Sequence, residues 1–418
     1  MAFSWLNLFL VLLAAWLAGT IAWHLGYSAV LGELVAGIIL GPSLLGVIRN
    51  DDGIAILGYL GILMMSFFVG TRIESNDLVL GRGVTLPLIG SFVVPLIAGA
   101  LVMTTVFQVN ALTGLVVGTV IGTTGLLAMV RFVTEIQLVH TRIGQTLMSV
   151  ALFSIILVMV TFAAIQGVAQ AHATSLTDIA LVLGKLLLFL VVFILVGRYL
   201  FPPLGKLQER LVLPNNDVGK LTFALLLALV AAWAATQLGL TFILGGFLAG
   251  VFLRPAMFEP GTFPKIFAAV RDVARGFLSV IFYVSAGFSF SFAAFGTSIG
   301  LIVSLVLTAI LTKFLGGFLF YLFNGHGWRE ALVLGLGMNA RGSLDIAIAL
   351  LALQLGVITQ DIYTALICAI IIGTLTVPVL LRWGADWLAR RGELLSPEGI
   401  PVPQTVPANA SGVPKVTL

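Results

Sequence analysis

Charge is what this chain has least of. Only 9% of its 418 residues are Asp, Glu, Lys or Arg, where an ordinary soluble domain carries about 25%. With 60% hydrophobic residues and a mean hydropathy of +1.16, a soluble globule is excluded and a polytopic membrane protein is expected. Cysteine is nearly missing: Cys368 stands alone, which excludes an internal disulfide. Histidine is scarce as well. His24, His140, His172 and His326 map to loops or helix ends without metal-ligand spacing, so no metal site is expected. The sequence holds no convincing nucleotide-binding glycine pattern and no nucleophile–base arrangement, which argues against a cofactor and against an enzyme. The net charge of +4 does not imply nucleic acid, because in a membrane protein it more often reflects basic cytoplasmic loops.

What is present is a series of apolar runs long enough to span, at ~20 residues each. They fall at about 4–23, 28–48, 54–71, 84–107, 112–133, 144–168, 179–200, 218–237, 239–254, 272–293, 298–323, 330–353 and 361–384, giving thirteen spans. The first lacks a basic n-region and a clear cleavage site, so it is expected to be retained and not removed as a signal peptide. With the N-terminus outside, seventeen of the 21 Lys and Arg fall on the inside and Arg49 alone falls outside, while Lys185, Lys313 and Arg341 lie within spans. The positive-inside rule then places the C-terminus in the cytoplasm and the protein in the inner (plasma) membrane. Residues 391–418 are Pro-rich and aperiodic and are expected to be a disordered tail; the sequon at Asn409 sits on the inside, where it would not be glycosylated.

The chain repeats itself. Leu31-Gly32-Glu33-Leu34-Val35-Ala36-Gly37 matches Leu244-Gly245-Gly246-Phe247-Leu248-Ala249-Gly250 at an offset of 213, and Phe67-Phe68-Val69-Gly70 matches Phe282-Tyr283-Val284-Ser285 at 215. Span 2 thus corresponds to span 9, and span 3 to span 10. A shift of seven spans is odd, so the halves have opposite topology, the inverted-repeat arrangement of secondary transporters. The expected layout is a transmembrane domain over 1–390. Within it, repeat one covers about 1–170, a linker helix about 178–200, and repeat two about 218–384.

The repeat also pairs span 5 with span 12, and both are interrupted at mid-membrane. Span 5 reads Gly118-Thr119-Val120-Ile121-Gly122-Thr123-Thr124-Gly125. Span 12 reads Gly335-Leu336-Gly337-Met338-Asn339-Ala340-Arg341-Gly342-Ser343-Leu344-Asp345 and sets an Asn, an Arg and an Asp in an apolar run. A charge at the bilayer centre costs ~2.5–3.5 kcal/mol on insertion scales and is kept where it faces a cavity or a partner. Two broken helices in corresponding positions point to an ion or substrate site between them.

The motifs together resemble the membrane domain of the monovalent cation:proton antiporter-2 family, which includes Kef-type and NapA-type proteins. The resemblance runs along nearly all of 1–390. It is carried by Gly32-Glu33-Leu34-Val35-Ala36-Gly37 through Gly41-Pro42, Phe67-Phe68-Val69-Gly70, Thr123-Thr124, Val130-Arg131-Phe132-Val133-Thr134-Glu135, Arg142-Ile143-Gly144-Gln145, Lys313-Phe314-Leu315-Gly316 and Met338-Asn339-Ala340-Arg341-Gly342. It implies an all-α fold of about 13 transmembrane helices, with two inverted six-helix repeats and crossed discontinuous helices. It also implies a homodimer in which a core moves against a dimerisation domain. One departure matters. Members carry one or two aspartates in span 6; here those positions are Ser154 and Ile155, and no Asp or Glu occurs between Gly144 and Thr174. In electrogenic members the residue matching Lys313 pairs with that aspartate, a partner absent here.

Asp345 is the leading remaining ligand for a cation or proton, or else it forms an i, i+4 ion pair with Arg341. Arg341 is expected to neutralise helix ends, with Glu33 as a second charge-compensating group or a structural one. Lys313, Asn339, Thr123, Thr124 and Ser154 complete the candidate ion-binding set. The expected function is secondary active transport, a monovalent cation (sodium or potassium) exchanged for protons by alternating access. Two alternatives stay open: an anion or small organic solute taken by a free Lys313, and a non-transporting sensor or subunit.

Overall fold

The computed structural model describes residues 4–48, 52–73, 82–173, 175–211, 217–258 and 261–402. Helix is the only extended regular structure among them. In chain order the helices are α1 (Trp5–His24), α2 (Ala29–Leu40), α3 (Asp52–Thr71), α4 (Arg82–Leu101), α5 (Ala111–Gly122), α6 (Leu126–Glu135), α7 (Arg142–Gln170), α8 (Leu176–Tyr199) and α9 (Phe201–Leu211). There follow α10 (Asp217–Gln237), α11 (Phe242–Phe252), α12 (Thr262–Val273), α13 (Ser279–Phe288), α14 (Ala294–Thr297), α15 (Ile299–Phe323), α16 (Trp328–Gly337), α17 (Ser343–Gln354) and α18 (Gln360–Ala389). A wide π turn at Ala274–Leu278 joins α12 to α13 as one arm.

Among the described residues, nine arms are long and apolar enough to cross a membrane. The shorter α2 and α11, the α12–α13 arm and the α16/α17 pair supply four more, so each of the thirteen apolar runs becomes a helical crossing. Helices are the outcome that hydrocarbon allows, because they satisfy every backbone group within the segment. Side-chain caps set several starts: Asn110 accepts from the Thr113 amide at 2.8 Å, Thr141 from Gly144 at 3.1 Å, and Ser175 with Asp178 forms a capping box.

Two packed groups result. The helices α1, α2 and α3 pack with α10, α11 and α13, while α4 to α7 pack with α15 to α18. Equivalent helices of the two halves make equivalent contacts: α2 lies on α13 as α11 lies on α3, and α1 lies on α2 as α10 lies on α11. The match extends to single residues. A Cβ on Gly32 would sit 2.2 Å from the Ala18 carbonyl, and one on Gly245 would sit 2.2 Å from that of Ala231, both pairs related by the offset of 213. Only a small residue lets helix backbones approach so closely. The fold is thus an all-α membrane bundle of two inverted halves. Helix α8 buries a single stripe, Val182, Leu186, Phe189, Phe193 and Gly197, and leaves its other faces, Lys185 included, exposed.

The tail differs from expectation. Residues 391–402 are folded against the bundle: Leu394 is buried, Leu395 bridges Pro401, and the Val402 amide donates to the Leu394 carbonyl at 2.8 Å. The Arg142 amide donates to the Leu395 carbonyl at 2.9 Å, and Glu393 pairs with Arg329. One apolar anchor and these backbone bonds hold a segment whose composition alone reads as disordered. Residues 403–418, with Asn409, lie outside the described residues.

Candidate functional site

Two helices break where the sequence places the interruptions. Between α5 and α6 the chain is extended at Thr123 and Gly125, and between α16 and α17 residues 338–342 are not helical. The breaks cross glycine on glycine. A Cβ on Gly342 would fall 2.7 Å from the Cα of Gly125, and one on Gly125 would fall 2.6 Å from the Cα of Gly342. The Gly125 amide donates to the Ala340 carbonyl at 2.9 Å, tying the crossing together. A larger residue at either position would force the strands apart.

Breaking a helix exposes carbonyls at one end and amides at the other, with opposed partial charges. At the C-terminal end of α5 two buried cations take up the carbonyls. Arg341 Nη1 donates to Ile121 at 2.6 Å, Val120 at 3.2 Å and Thr123 at 3.3 Å, and Nη2 reaches Ala309 on α15 at 3.3 Å. Lys313, fully buried on α15, donates from Nζ to the Gly122 carbonyl. Four successive carbonyls at the end of α5, Val120 to Thr123, are therefore bonded to positive groups.

Asp345 occupies the opposite kind of end. It lies in the first turn of α17, fully buried, and Oδ2 accepts from the Gly342 amide at 3.3 Å. Its position favours a negative charge, because a helix N-terminus carries partial positive charge. No ion pair joins it to Arg341, whose guanidinium is engaged with carbonyls instead. Asp345 Oδ1 has no hydrogen-bond partner, and neither has Thr124 Oγ1. Both residues line a cavity of about 20 Å³, shared with Thr123, Ser343, Ile155 and Val69. That volume exceeds the ~10–15 Å³ one water needs, so a single water-sized species fits.

The structure brings only part of the candidate set together. Asp345, Thr123 and Thr124 line the cavity. Ser154 does not: its hydroxyl donates to Ala151 on its own helix at 2.9 Å and approaches the Thr124 carbonyl only at 3.5 Å. Of the two span 6 positions it is Ile155 that faces the cavity. Asn339 turns away, donating to the Ile310 carbonyl on α15 at 3.3 Å while its Oδ1 stays unpartnered. Lys313 lies behind the site on the α5 carbonyls. Glu33 is remote from the cavity, on α2 beside Gly19 of α1.

Sequence reasoning missed a second polar centre. Glu330 of α16 is buried and takes a two-pronged ion pair from Arg142 of α7, at 2.8 and 2.6 Å, plus the Tyr321 hydroxyl of α15 at 3.0 Å. The His326 ring stacks on Tyr321 at 3.9 Å. This clamp joins three helices of the site-bearing group at the end where Leu395 docks. Its only sequence signal is a pair of opposite charges at the starts of two spans.

Comparison with known proteins decides the family. Residues 8–383 match the family described as "Sodium/hydrogen exchanger, transmembrane". The chain belongs to this exchanger family. It is similar to the Na(+)/H(+)-K(+) antiporter GerN of Bacillus cereus, 26% identical over 383 residues that cover 90% of this chain and 94% of the relative. It is also similar to a Na(+)/H(+) antiporter of Enterococcus hirae, at 26% over 379 residues covering 90% and 96%. Among solved structures, the sodium proton antiporter MjNhaP1 of Methanocaldococcus jannaschii superposes with a TM-score of 0.69 at 18% identity, over 91% of this chain and 95% of the other. The exchanger fold therefore extends across the whole site-bearing region, where α7 presents Ser154 and Ile155 and the carboxylate at the crossing comes from α17.

Proposed function

We propose that this protein exchanges a monovalent cation, sodium or potassium, for protons by alternating access, with Asp345 as the ligand the two ions share. One observation carries this: a fully buried carboxylate presents an unpartnered oxygen to a water-sized cavity at the crossing of two broken helices. A cation there would meet Asp345 Oδ1 and Thr124 Oγ1, both oxygen donors. A proton on Asp345 would remove the charge that holds it, so the two occupants exclude each other. An anion is disfavoured at this place because Lys313 and Arg341, the buried cations, are already bonded to α5 carbonyls. The names of the relatives agree with cation/proton exchange.

In this reading α4 to α7 with α15 to α18 form the moving core, and α1 to α3 with α10 to α13 form the scaffold through which two copies associate as a homodimer. Repeat one covers about 1–170, α8 links the halves, and repeat two covers about 218–384. The basic residues support a cytoplasmic C-terminus in the plasma membrane. Arg142 and Arg329 meet the segment after α18, and at the inner end of α6 Arg131 donates to the Tyr27 carbonyl at 2.6 Å.

The test is proton flux in proteoliposomes carrying a trapped pH dye, with sodium, potassium and lithium added in turn. Cation-driven flux is expected in the parent and a loss of roughly 100-fold or more in Asp345→Asn. Parent flux that responds to no cation would overturn the proposal, and full activity in Asp345→Asn would remove Asp345 from the site.

A further inference from the structure

Helix α18 outruns the hydrocarbon. Its 30 residues extend about 45 Å at ~1.5 Å each, against a hydrocarbon core about 30 Å thick. Residues 362–381 carry no charge and account for the crossing; Arg382 is the first charge after them. The end of the helix and the residues just past it therefore lie at the level of the lipid headgroups.

That end holds a cluster of indoles and guanidinium groups. Trp383 and Trp387 stack with ring centroids 6.0 Å apart, and Trp328, at the start of α16, meets Trp387 edge-on at 5.8 Å. The Arg329 guanidinium lies 5.1 Å from the Trp328 ring and 5.9 Å from that of Trp387, and the Arg391 guanidinium lies 5.5 Å from Trp387. Each of these lies within the ~6 Å over which a ring face attracts a cation. Trp383, Trp387 and Arg391 follow at steps of one helical turn and share a stripe, with Arg382, Asp386 and Arg390 on the stripe beside it.

Two properties of the cluster point outward. Trp383 is 57% exposed and Trp328 52%, a placement that suits an amphipathic ring at the membrane–water interface. The charges are also unequal. Arg329 is paired with Glu393. Among the described residues Arg382, Arg390 and Arg391 form no ion pair, although Asp386 lies one turn from both Arg382 and Arg390. The opposite end of α18 begins Gln360-Asp361 and carries neither a basic residue nor a tryptophan.

We propose that the corner where α18 ends against the start of α16 binds an anionic phospholipid. The three arginines receive the phosphodiester, and the exposed ring of Trp383 lines the glycerol and the upper acyl chain. A free anion would use the arginines alone, whereas a lipid uses the arginines and the indoles at the depth where both occur. Helix α16 runs from this corner to the break at residues 338–342, so an occupied site fixes the level in the bilayer of the helix that leads to Arg341. Binding of the lipid does not depend on the exchange reaction and is measured without it.

The experiment is native mass spectrometry of the full chain in detergent, titrated with phosphatidylglycerol and, separately, with phosphatidylcholine at low and high salt. The parent should retain phosphatidylglycerol in preference, and less of it as salt rises. An arginine at an anionic membrane surface is worth about fivefold in affinity. Changing Arg382, Arg390 and Arg391 together to Gln should therefore weaken phosphatidylglycerol binding on the order of 100-fold and leave phosphatidylcholine binding unchanged. The same three changed to Lys keep the charge and should recover most of the loss, which separates lost binding from lost folding. Trp383→Leu should weaken both lipids several-fold. Arg198→Gln, at the exposed end of α8, serves as the control for unspecific attraction and should change nothing. Equal retention of the two lipids would overturn the site, as would a triple-Lys protein that binds no better than the triple-Gln one. An effect of Arg198→Gln as large as that of Arg391→Gln would reduce it to general surface charge. Displacement of the lipid by inorganic phosphate would assign the arginines to a soluble anion and reject the lipid.

Discussion

The two broken helices have the same shape and opposite chemistry. The α5/α6 break contributes carbonyls, amides and threonine hydroxyls and no ionisable side chain. The α16/α17 break contributes Arg341 and Asp345, and Lys313 comes from α15, the helix beside it. The first half of the repeat therefore supplies acceptors and the second half supplies charge. The cations are spent on the C-terminal end of α5, which leaves the carboxylate at the N-terminal end of α17 as the group open to the cavity. An inverted repeat fixes where a site lies, but the few substitutions that break its symmetry decide what the site does.

The largest effect should come from undoing the division at α5. Arg341→Ala strips a donor from three carbonyls at the end of α5 and a fourth on α15, and each acceptor left unsatisfied costs about 1–3 kcal/mol. Thermal unfolding in detergent should show a severe loss, with little intact protein. Lys313→Met removes one such donor and should cost about a quarter as much, with cation KM nearly unchanged. Complete loss of flux in a well-folded Lys313→Met protein would move Lys313 from a helix cap into the transport step.

A second comparison can be sharpened at span 6. Ile155 faces the cavity and Ser154 faces its own helix, so the two positions are not interchangeable. In an Asp345→Asn background, Ile155→Asp should restore part of the cation-driven flux and Ser154→Asp should not. Equal rescue by both would mean that α7 rotates relative to the geometry described above.

The smallest effect concerns the clamp at the other end of α16. Burial holds the His326 imidazole below its ordinary 6.5. Glu330 pulls it upward, and Arg142 adds to the depression. The folded state then binds fewer protons than the unfolded chain, so this contribution is whole above about 6.5 and is lost as pH falls below that value and through the lower folded one. Thermal unfolding between about pH 8 and 5.5 should show a modest acid-side drop that His326→Gln flattens. An unchanged slope in His326→Gln would assign the drop to other groups.

Much of the fold was legible because hydrocarbon imposes a simple rule: a run of about 20 apolar residues becomes a crossing helix. The thirteen runs, the interruptions at Thr123–Gly125 and Met338–Gly342, and the matched Gly32 and Gly245 contacts all follow from local sequence and its repetition. The site was legible only in part. Asp345 and Arg341 are one turn apart in sequence, which suggests an ion pair, yet in the structure Arg341 turns to α5, because three carbonyls at a broken end outbid one carboxylate. Ser154 and Ile155 are adjacent, and no pattern in an apolar helix tells which of them meets a cavity. Residues 391–402 read as disordered because their anchor, Leu394, needs a pocket that only the assembled bundle provides.

By itself, then, the sequence determined the membrane setting, the number of crossings, the inverted repeat and the place of the breaks, since each depends on residues near one another in the chain. The tertiary structure decided which charges cap a helix end and which one faces the cavity. Those outcomes depend on groups more than a hundred residues apart, such as Arg341 with Ile121 and Lys313 with Gly122, meeting in a medium where every polar atom must find a partner.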